Sequence, residues 1–184
     1  MTSSRYSSSI IILHWITFIL VLIAAALGLY REYVLLPTND PSHAAVMSLH
    51  MSVGIVVWAL TILRLVARSR SVAPPPVWSP GVMAIAERGV HFLLYFSLIA
   101  VPLIGLASAW IRGRPFVFFG MFTIPSPLVT DWKSPTGKLL EIVHLNAAYA
   151  FLALAGLHVL AALYHQVIRH EQVIKRILPG AQQS

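Results

Sequence analysis

The sequence predicts an all-α integral membrane protein, a bundle of four transmembrane helices that forms a single domain over residues 1–184. Composition is the first reason, because 58% of the residues are hydrophobic and only 10% are charged, whereas soluble domains carry about 25% charged residues. Hydropathy is the second reason. The mean hydropathy is +0.78, and the apolar residues form four runs long enough to cross a hydrocarbon core of roughly 30 Å. The chain has no cysteine, which excludes disulfides, thiolate metal sites and covalently attached haem.

The first two predicted spans cover about residues 10–30 and 43–66. The first run follows a short polar lead, is long for the apolar region of a signal peptide, and carries His14 near its start. We therefore expect a retained span and not a cleaved signal. Proline, asparagine and aspartate between the two runs indicate a loop.

The third and fourth predicted spans cover about residues 82–110 and 139–168. The stretch APPPVWSP before the third span predicts a stiff linker, and Pro102 with Gly105 predicts a kink within that span. Residues 111–137 form a longer loop rich in aromatic side chains, which we expect to lie at the membrane interface.

Four spans place both termini on one side of the membrane. That side would hold eight of the lysines and arginines and the other side five, which favours cytoplasmic termini under the positive-inside rule. Because these basic residues gather at helix ends, the net charge of +7 indicates membrane orientation, and no nucleic-acid partner is expected.

Histidines inside the spans are the main functional signal, because an ionisable side chain in a membrane is costly. His144 and His158 lie 14 residues apart in the fourth span. In an α-helix this spacing corresponds to about 21 Å along the axis and about 40° around it. One helix therefore presents two imidazoles on nearly one face at two depths, as two stacked cofactors would require.

The predicted topology sorts the histidines by depth. His50 and His144 fall in the outer half of the membrane, and His14, His91 and His158 in the inner half. Neutral imidazole is a common haem ligand, and helix bundles can hold cofactors between facing helices. This pattern favours two bis-histidine haems over isolated structural histidines, a proton relay, or a zinc site with three or four converging ligands. Depth alone leaves open whether His14 or His91 pairs with His158.

Several short motifs together resemble the bacterial cytochrome b561 family, a group of four-helix, di-haem, quinone-linked membrane proteins. A looser resemblance extends to the cytochrome b subunits of hydrogenases and formate dehydrogenases. The motifs are LHW at 13–15, SLH at 48–50 followed by Gly54, RGVHFLLY at 88–95, RGRPFVFFG at 112–120, the His144 region, and GLH at 156–158. None is specific alone, but their order and spacing extend over nearly the whole chain.

The resemblance implies two non-covalent haem b groups in the bacterial inner membrane. Carried over by motif, His14 and His158 would ligate the inner haem iron, and His50 and His144 the outer one. His91 would then be left to contact a propionate or a quinone, or to ligate in place of His14.

Three further histidines and the basic residues lie closer to the membrane faces. His165 follows at the inner interface, either as a second quinone contact or as an ordinary interfacial residue, whereas His43 and His170 lie at helix ends as surface residues. Haem propionates need cationic partners near each membrane face, and the sequence alone does not select among the basic residues there.

The predicted function is single-electron transfer between the haems and a quinone, with the iron carrying the chemistry. Stand-alone members of the resembled family have been linked to superoxide oxidation, so the lead hypothesis is a superoxide:ubiquinone oxidoreductase, a superoxide oxidase. Outer cations would steer the small anion; the candidates are Arg112, Arg114, Lys133 and Lys138. The alternative is an electron-transfer subunit of a dehydrogenase or hydrogenase, and a distant alternative is a non-redox proton-coupled transporter.

Overall fold

The computed structural model describes residues 6–71, 81–128 and 131–178. Within these ranges it contains four long helices: α1 (Ser8–Tyr30), α2 (His43–Ser69), α3 (Val82–Ile111) and α4 (Pro135–Val167). All four are long and apolar enough to cross a membrane, so the predicted fold class is confirmed. The predicted linker APPPVWSP lies outside the described residues.

The helix boundaries differ from the predicted spans mainly at α4, which begins four residues earlier than expected. Ser134 is its N-cap, and its hydroxyl accepts a hydrogen bond from Gly137 N at 3.3 Å, with Pro135 at the first helical position. This is the usual chemistry of a helix start. The end of α1 continues into a π-helical turn, Arg31–Leu35, which places Arg31 beside the bundle interior.

The helices pack as two neighbouring pairs. α1 lies along α2, α3 lies along α4, and the pairs meet through α2 and α3. Val53, Val57 and Leu98 form the buried core at this junction. Large apolar side chains elsewhere on all four helices point outward, among them Leu63 and Leu157. This outward apolar surface suits helices surrounded by lipid.

The loop between α3 and α4 forms a short antiparallel hairpin of β1 (Phe116–Phe118) and β2 (Phe122–Ile124). Two serines of α2 anchor it. The Ser48 hydroxyl accepts from Val117 N at 3.2 Å, and the Ser52 hydroxyl accepts from Phe119 N at 3.0 Å. Because these serines flank position 50 on α2, the hairpin packs on the segment that carries a candidate ligand.

The two ends of the bundle are formed by different elements. At one end, called the terminal end, Trp15 Nε1 donates to Ile177 O at 2.7 Å, and Arg68 lies over the Tyr6 ring at 5.6 Å. The opposite end, called the loop end, carries the hairpin and the π-helical turn. That the terminal end is cytoplasmic stays a prediction, as do the kink at Pro102 and the single-domain organisation.

Candidate functional site

The span histidines form two groups at opposite ends of the bundle. At the loop end, His50 of α2 and His144 of α4 have ring centroids 6.1 Å apart, with ring planes at 87°. At the terminal end, His91 of α3 and His158 of α4 have ring centroids 5.3 Å apart, at 69°. The structure therefore contains two imidazole pairs, and α4 contributes one member to each.

Backbone carbonyls of neighbouring helices fix one nitrogen of each loop-end imidazole. His50 Nδ1 lies 2.8 Å from Ala24 O of α1, and His144 Nδ1 lies 2.9 Å from Val101 O of α3. A carbonyl can only accept, so each Nδ1 donates a proton to it, and in a neutral imidazole with this tautomer Nε2 has a free lone pair. Metal-ligating histidines usually have this tautomer and this kind of supporting contact.

Two cavities flank the loop-end pair, and both imidazoles line both of them. The larger, of about 220 Å³, is lined by all four helices; the smaller, of about 70 Å³, lies between α2, α3 and α4. Gly54 borders both cavities, and a Cβ added there would have no atom within 4 Å among the described residues outside its own stretch of helix. Open space therefore lies beside both His50 and His144.

This geometry fits a haem held by two histidines. With metal–nitrogen bonds of about 2 Å, two imidazoles that share one metal have ring centroids roughly 6 Å apart, and the observed distance is 6.1 Å. The two cavities that both imidazoles border offer space for such a group. The donor set is two imidazoles in mostly apolar surroundings, as a haem b site requires.

The terminal-end group contains three histidines. His14 of α1 lies within electrostatic range of His91 and His158. Its Nδ1 is buried and has no hydrogen-bond partner among the described residues. The His91 side chain is 40% exposed, and its Nδ1 lies 4.0 Å from the Glu87 carboxylate. His14 is thus the candidate with a buried, unpartnered nitrogen, whereas the ring of His91 is the one that contacts His158.

The remaining histidines lie outside both pairs. His165 Nδ1 is 2.8 Å from the Glu171 carboxylate at the terminal end. His43 Nδ1 is 2.8 Å from Asp40 O at the start of α2, and His170 is exposed beyond the end of α4. Of these three, His165 stays a candidate quinone contact, as predicted, and His43 and His170 lie at helix ends.

The four predicted anion-steering residues differ in their surroundings. Arg112 and Lys138 both pair with Glu141, the latter at 3.2 Å, so one carboxylate offsets two cations. Lys133 lies over the ring of the neighbouring tryptophan at 5.2 Å. Arg114 borders the smaller cavity, where burial, followed by the charge of Arg112, lowers its pKa. Arg114 and Lys138 are thus the two of these four that border a cavity of the loop-end imidazoles, and Lys138 is paired with Glu141.

Two partly buried arginines stand out among the basic residues that the sequence could not rank. Arg31 lines the larger cavity, its side chain is 13% exposed, and it lies 3.7 Å from the Glu32 carboxylate. Arg64 lies 5.3 Å over the Tyr95 ring in the terminal half of α2. The Nε atoms of both have no hydrogen-bond partner among the described residues. The sequence did contain one sign that Arg64 is functional. It lies inside a predicted span, where a cation is costly.

Sequence reasoning missed the backbone contacts of the loop-end pair. Ala24 and Val101 are apolar residues in apolar runs, and their carbonyls carry no sequence signal. Gly28 and Gly105 follow them by four residues, and each glycine lies against the imidazole that its helix supports. A glycine one turn after the accepting residue was the only sequence feature that could have suggested these contacts.

Comparison with known proteins identifies the family of the chain. A sequence profile described as prokaryotic cytochrome b561 matches residues 5–180. The chain is 31% identical to cytochrome b561 homolog 1 of Escherichia coli (strain K12), over 96% of this chain and 98% of the relative. It is 30% identical to the probable superoxide oxidase CybB of Yersinia pestis, over 95% and 96%, and 29% identical to cytochrome b561 homolog 2 of Escherichia coli (strain K12), over 96% and 93%. The profile covers all four helices and both histidine pairs, and the chain belongs to the prokaryotic cytochrome b561 family.

Proposed function

We propose that this protein is a di-haem membrane cytochrome b that passes single electrons from superoxide at the loop end to a quinone at the terminal end. Membership of the family makes it a multi-pass bacterial membrane electron-transfer protein, and the family implies haem b. The observation that carries the proposal is the loop-end pair. Its two imidazoles have fixed Nδ1 tautomers and a centroid separation of 6.1 Å.

The proposed ligands are His50 with His144 at the loop end and His14 with His158 at the terminal end. Haem iron held by two imidazoles supplies reversible one-electron transfer. The two ligands on α4 lie about 21 Å apart along its axis, so the bundle would conduct an electron through most of the membrane thickness. The protein's part is to hold the ligands, exclude water and supply charge.

Arg31 and Arg64 are the residues that we expect to hold the propionates. A buried guanidinium with an unsatisfied nitrogen is unfavourable unless an anion pairs with it. Arg31 borders the cavity of the loop-end pair, and Arg64 lies within electrostatic range of His14 and His158. Each histidine pair therefore has one enclosed cation beside it.

Replacing Arg64 by glutamine should lower the midpoint potential of the terminal-end haem, because reduction adds negative charge that a nearby cation stabilises. We expect a shift on the order of 60 mV, equivalent to a tenfold change in the reduction equilibrium for one electron. Potentiometric titration of the purified protein measures it. Arg88→Gln is the matched control, since Arg88 is exposed on α3 at the same end; equal shifts in the two variants would refute this role.

Superoxide is proposed as the electron donor for two reasons. One relative carries the name probable superoxide oxidase, and the cavities of the loop-end pair are bordered by Arg31 and Arg114. Because Glu141 offsets Arg112 and Lys138, and Glu32 lies 3.7 Å from Arg31, we expect Arg114 to provide most of the attraction for a small anion. Two superoxide anions would give one electron each and leave as dioxygen, and a quinone with two protons would become a quinol.

The quinone is proposed to bind at the terminal end beside His91. That side chain is 40% exposed and its ring contacts His158. An exposed imidazole next to a ligand can hydrogen-bond a quinone carbonyl and deliver a proton to it. His165 lies further toward the same membrane face and is the second candidate contact.

The test of this function begins with the visible spectrum and pyridine haemochrome of detergent-purified protein from haem-replete cells. We expect two b-type haems per chain, reduced rapidly by superoxide under anaerobic conditions, with superoxide dismutase abolishing the reduction. Haem reduction no faster than the spontaneous rate would refute superoxide as the donor. A co-purifying dehydrogenase would favour the subunit alternative, and a colourless preparation would favour a proton-coupled transporter.

A further inference from the structure

We propose that Gly28 and Gly105 are positioning residues that set the orientation and tautomer of His50 and His144. This inference rests on the proposed function, because it assigns the two glycines a role in haem binding at the loop end. It concerns residues that contact the ligands and not the haem itself.

Both glycines lie where a side chain would meet an imidazole. A Cβ at Gly105 would lie 2.8 Å from both Cε1 and Nδ1 of His144. A Cβ at Gly28 would lie 3.1 Å from Cε1 and 3.3 Å from Nδ1 of His50. The contact at Gly105 is too short for any real Cβ, so the ring of His144 would have to move. The contact at Gly28 would require the ring of His50 to shift by a few tenths of an ångström.

Each glycine also lies one helical turn after the carbonyl that fixes its histidine. The acceptors are Ala24 O, before Gly28, and Val101 O, before Gly105. Residues four apart lie on one face of a helix, so a side chain on the later residue would cover the approach to the earlier carbonyl. A carbonyl oxygen has two lone pairs, and one remains for the imidazole while the helix uses the other. The glycine therefore opens the path to the carbonyl.

The same arrangement occurs twice on different helices. His50 of α2 contacts a carbonyl of α1 in this way, and His144 of α4 contacts a carbonyl of α3. The contacts come from two different helices, and each one holds the Nδ1 side of its imidazole. Two independent copies that converge on one site indicate a requirement of that site and not accidental close packing.

An added methyl group should therefore weaken haem binding without unfolding the helix. The displaced ring would lose its bond to the carbonyl, and a neutral imidazole without that bond can carry its proton on either nitrogen. Loss of such a supporting contact typically lowers metal affinity by 10- to 100-fold. We expect Gly105→Ala to lower loop-end haem affinity by roughly this factor and Gly28→Ala by less, following the two Cβ distances.

The experiment compares four alanine variants of the full-length protein. Gly89→Ala on α3 and Gly156→Ala on α4 are the matched controls, because no described atom lies within 4 Å of a Cβ at either position. Haem per chain, haem affinity by titration, and electron paramagnetic resonance of the oxidised protein are measured, with circular dichroism and Tm to check folding. We expect altered loop-end signals in Gly105→Ala, weaker changes in Gly28→Ala, an unchanged terminal-end signal, and no change in the controls.

The outcomes separate this inference from the proposed function. If the wild-type protein binds two haems and Gly105→Ala matches Gly156→Ala in affinity and spectrum, the positioning role is wrong and the function stands. If Gly105→Ala does not fold, Gly28→Ala decides, since its contact is milder, and an unchanged loop-end signal there overturns the inference. A wild-type protein that binds no haem overturns both.

Discussion

Replacing His144 by alanine is expected to remove one of two haems and leave the other in place. His144 and His158 belong to the same helix, but their contacts are separate, since His144 faces His50 at the loop end and His158 faces His91 at the terminal end. Loss of one axial ligand should therefore empty the loop-end site alone. Pyridine haemochrome should decrease from about two haems per chain to about one, and a redox titration should show a single component.

The same variant should lose superoxide-dependent reduction, with a decrease of at least about 100-fold, because the electron would have no entry site. His50→Ala should behave identically, since the two rings serve one site. His170→Ala is the control, because His170 is exposed beyond α4 and should retain both haems. Loss of both haems from a folded His144→Ala protein would contradict two independent sites, and loss of neither would contradict the ligand assignment.

Replacing His14 by alanine is expected to remove the terminal-end haem, whereas His91→Ala should retain both haems. The reason is the partner of each Nδ1: that of His14 is buried without a partner among the described residues, whereas that of His91 lies 4.0 Å from the Glu87 carboxylate. His158→Ala should match His14→Ala. Haem stoichiometry of the three purified variants measures this directly.

His91→Ala should instead slow quinone reduction, by roughly 100-fold if the imidazole delivers a proton to the quinone. Stopped-flow oxidation of the reduced haems by a soluble ubiquinone analogue is the measurement, and His165→Ala tests the second candidate contact. If His91→Ala loses a haem and His14→Ala does not, the ligand assignment is reversed. If His91→Ala leaves both haems and quinone reduction unchanged, the quinone does not bind there.

The four spans were predictable from composition because lipid imposes a simple rule. A chain in hydrocarbon must satisfy its backbone hydrogen bonds internally, so a long apolar run has to be a helix. The start of α4 at Pro135 and the hairpin of Phe116–Phe118 with Phe122–Ile124 were not predicted. Three-residue strands are too short to show a period of two, and the serine anchors at positions 48 and 52 lie far away in the sequence.

Sequence alone was enough to predict the number of helices, the two depths of the histidines and the family. All three depend on the spacing of residues along the sequence, and helix geometry converts that spacing directly into distances in space. Tertiary structure decided what each histidine contacts. The bonds from His50 to Ala24 and from His144 to Val101 span 26 and 43 residues, and they depend on how the helices are rotated about their axes. Helices that are apolar on nearly every side do not specify that rotation through hydrophobicity, because lipid and protein neighbours are equally apolar. The close contacts of Gly28 with His50 and of Gly105 with His144 therefore became visible only in the tertiary structure.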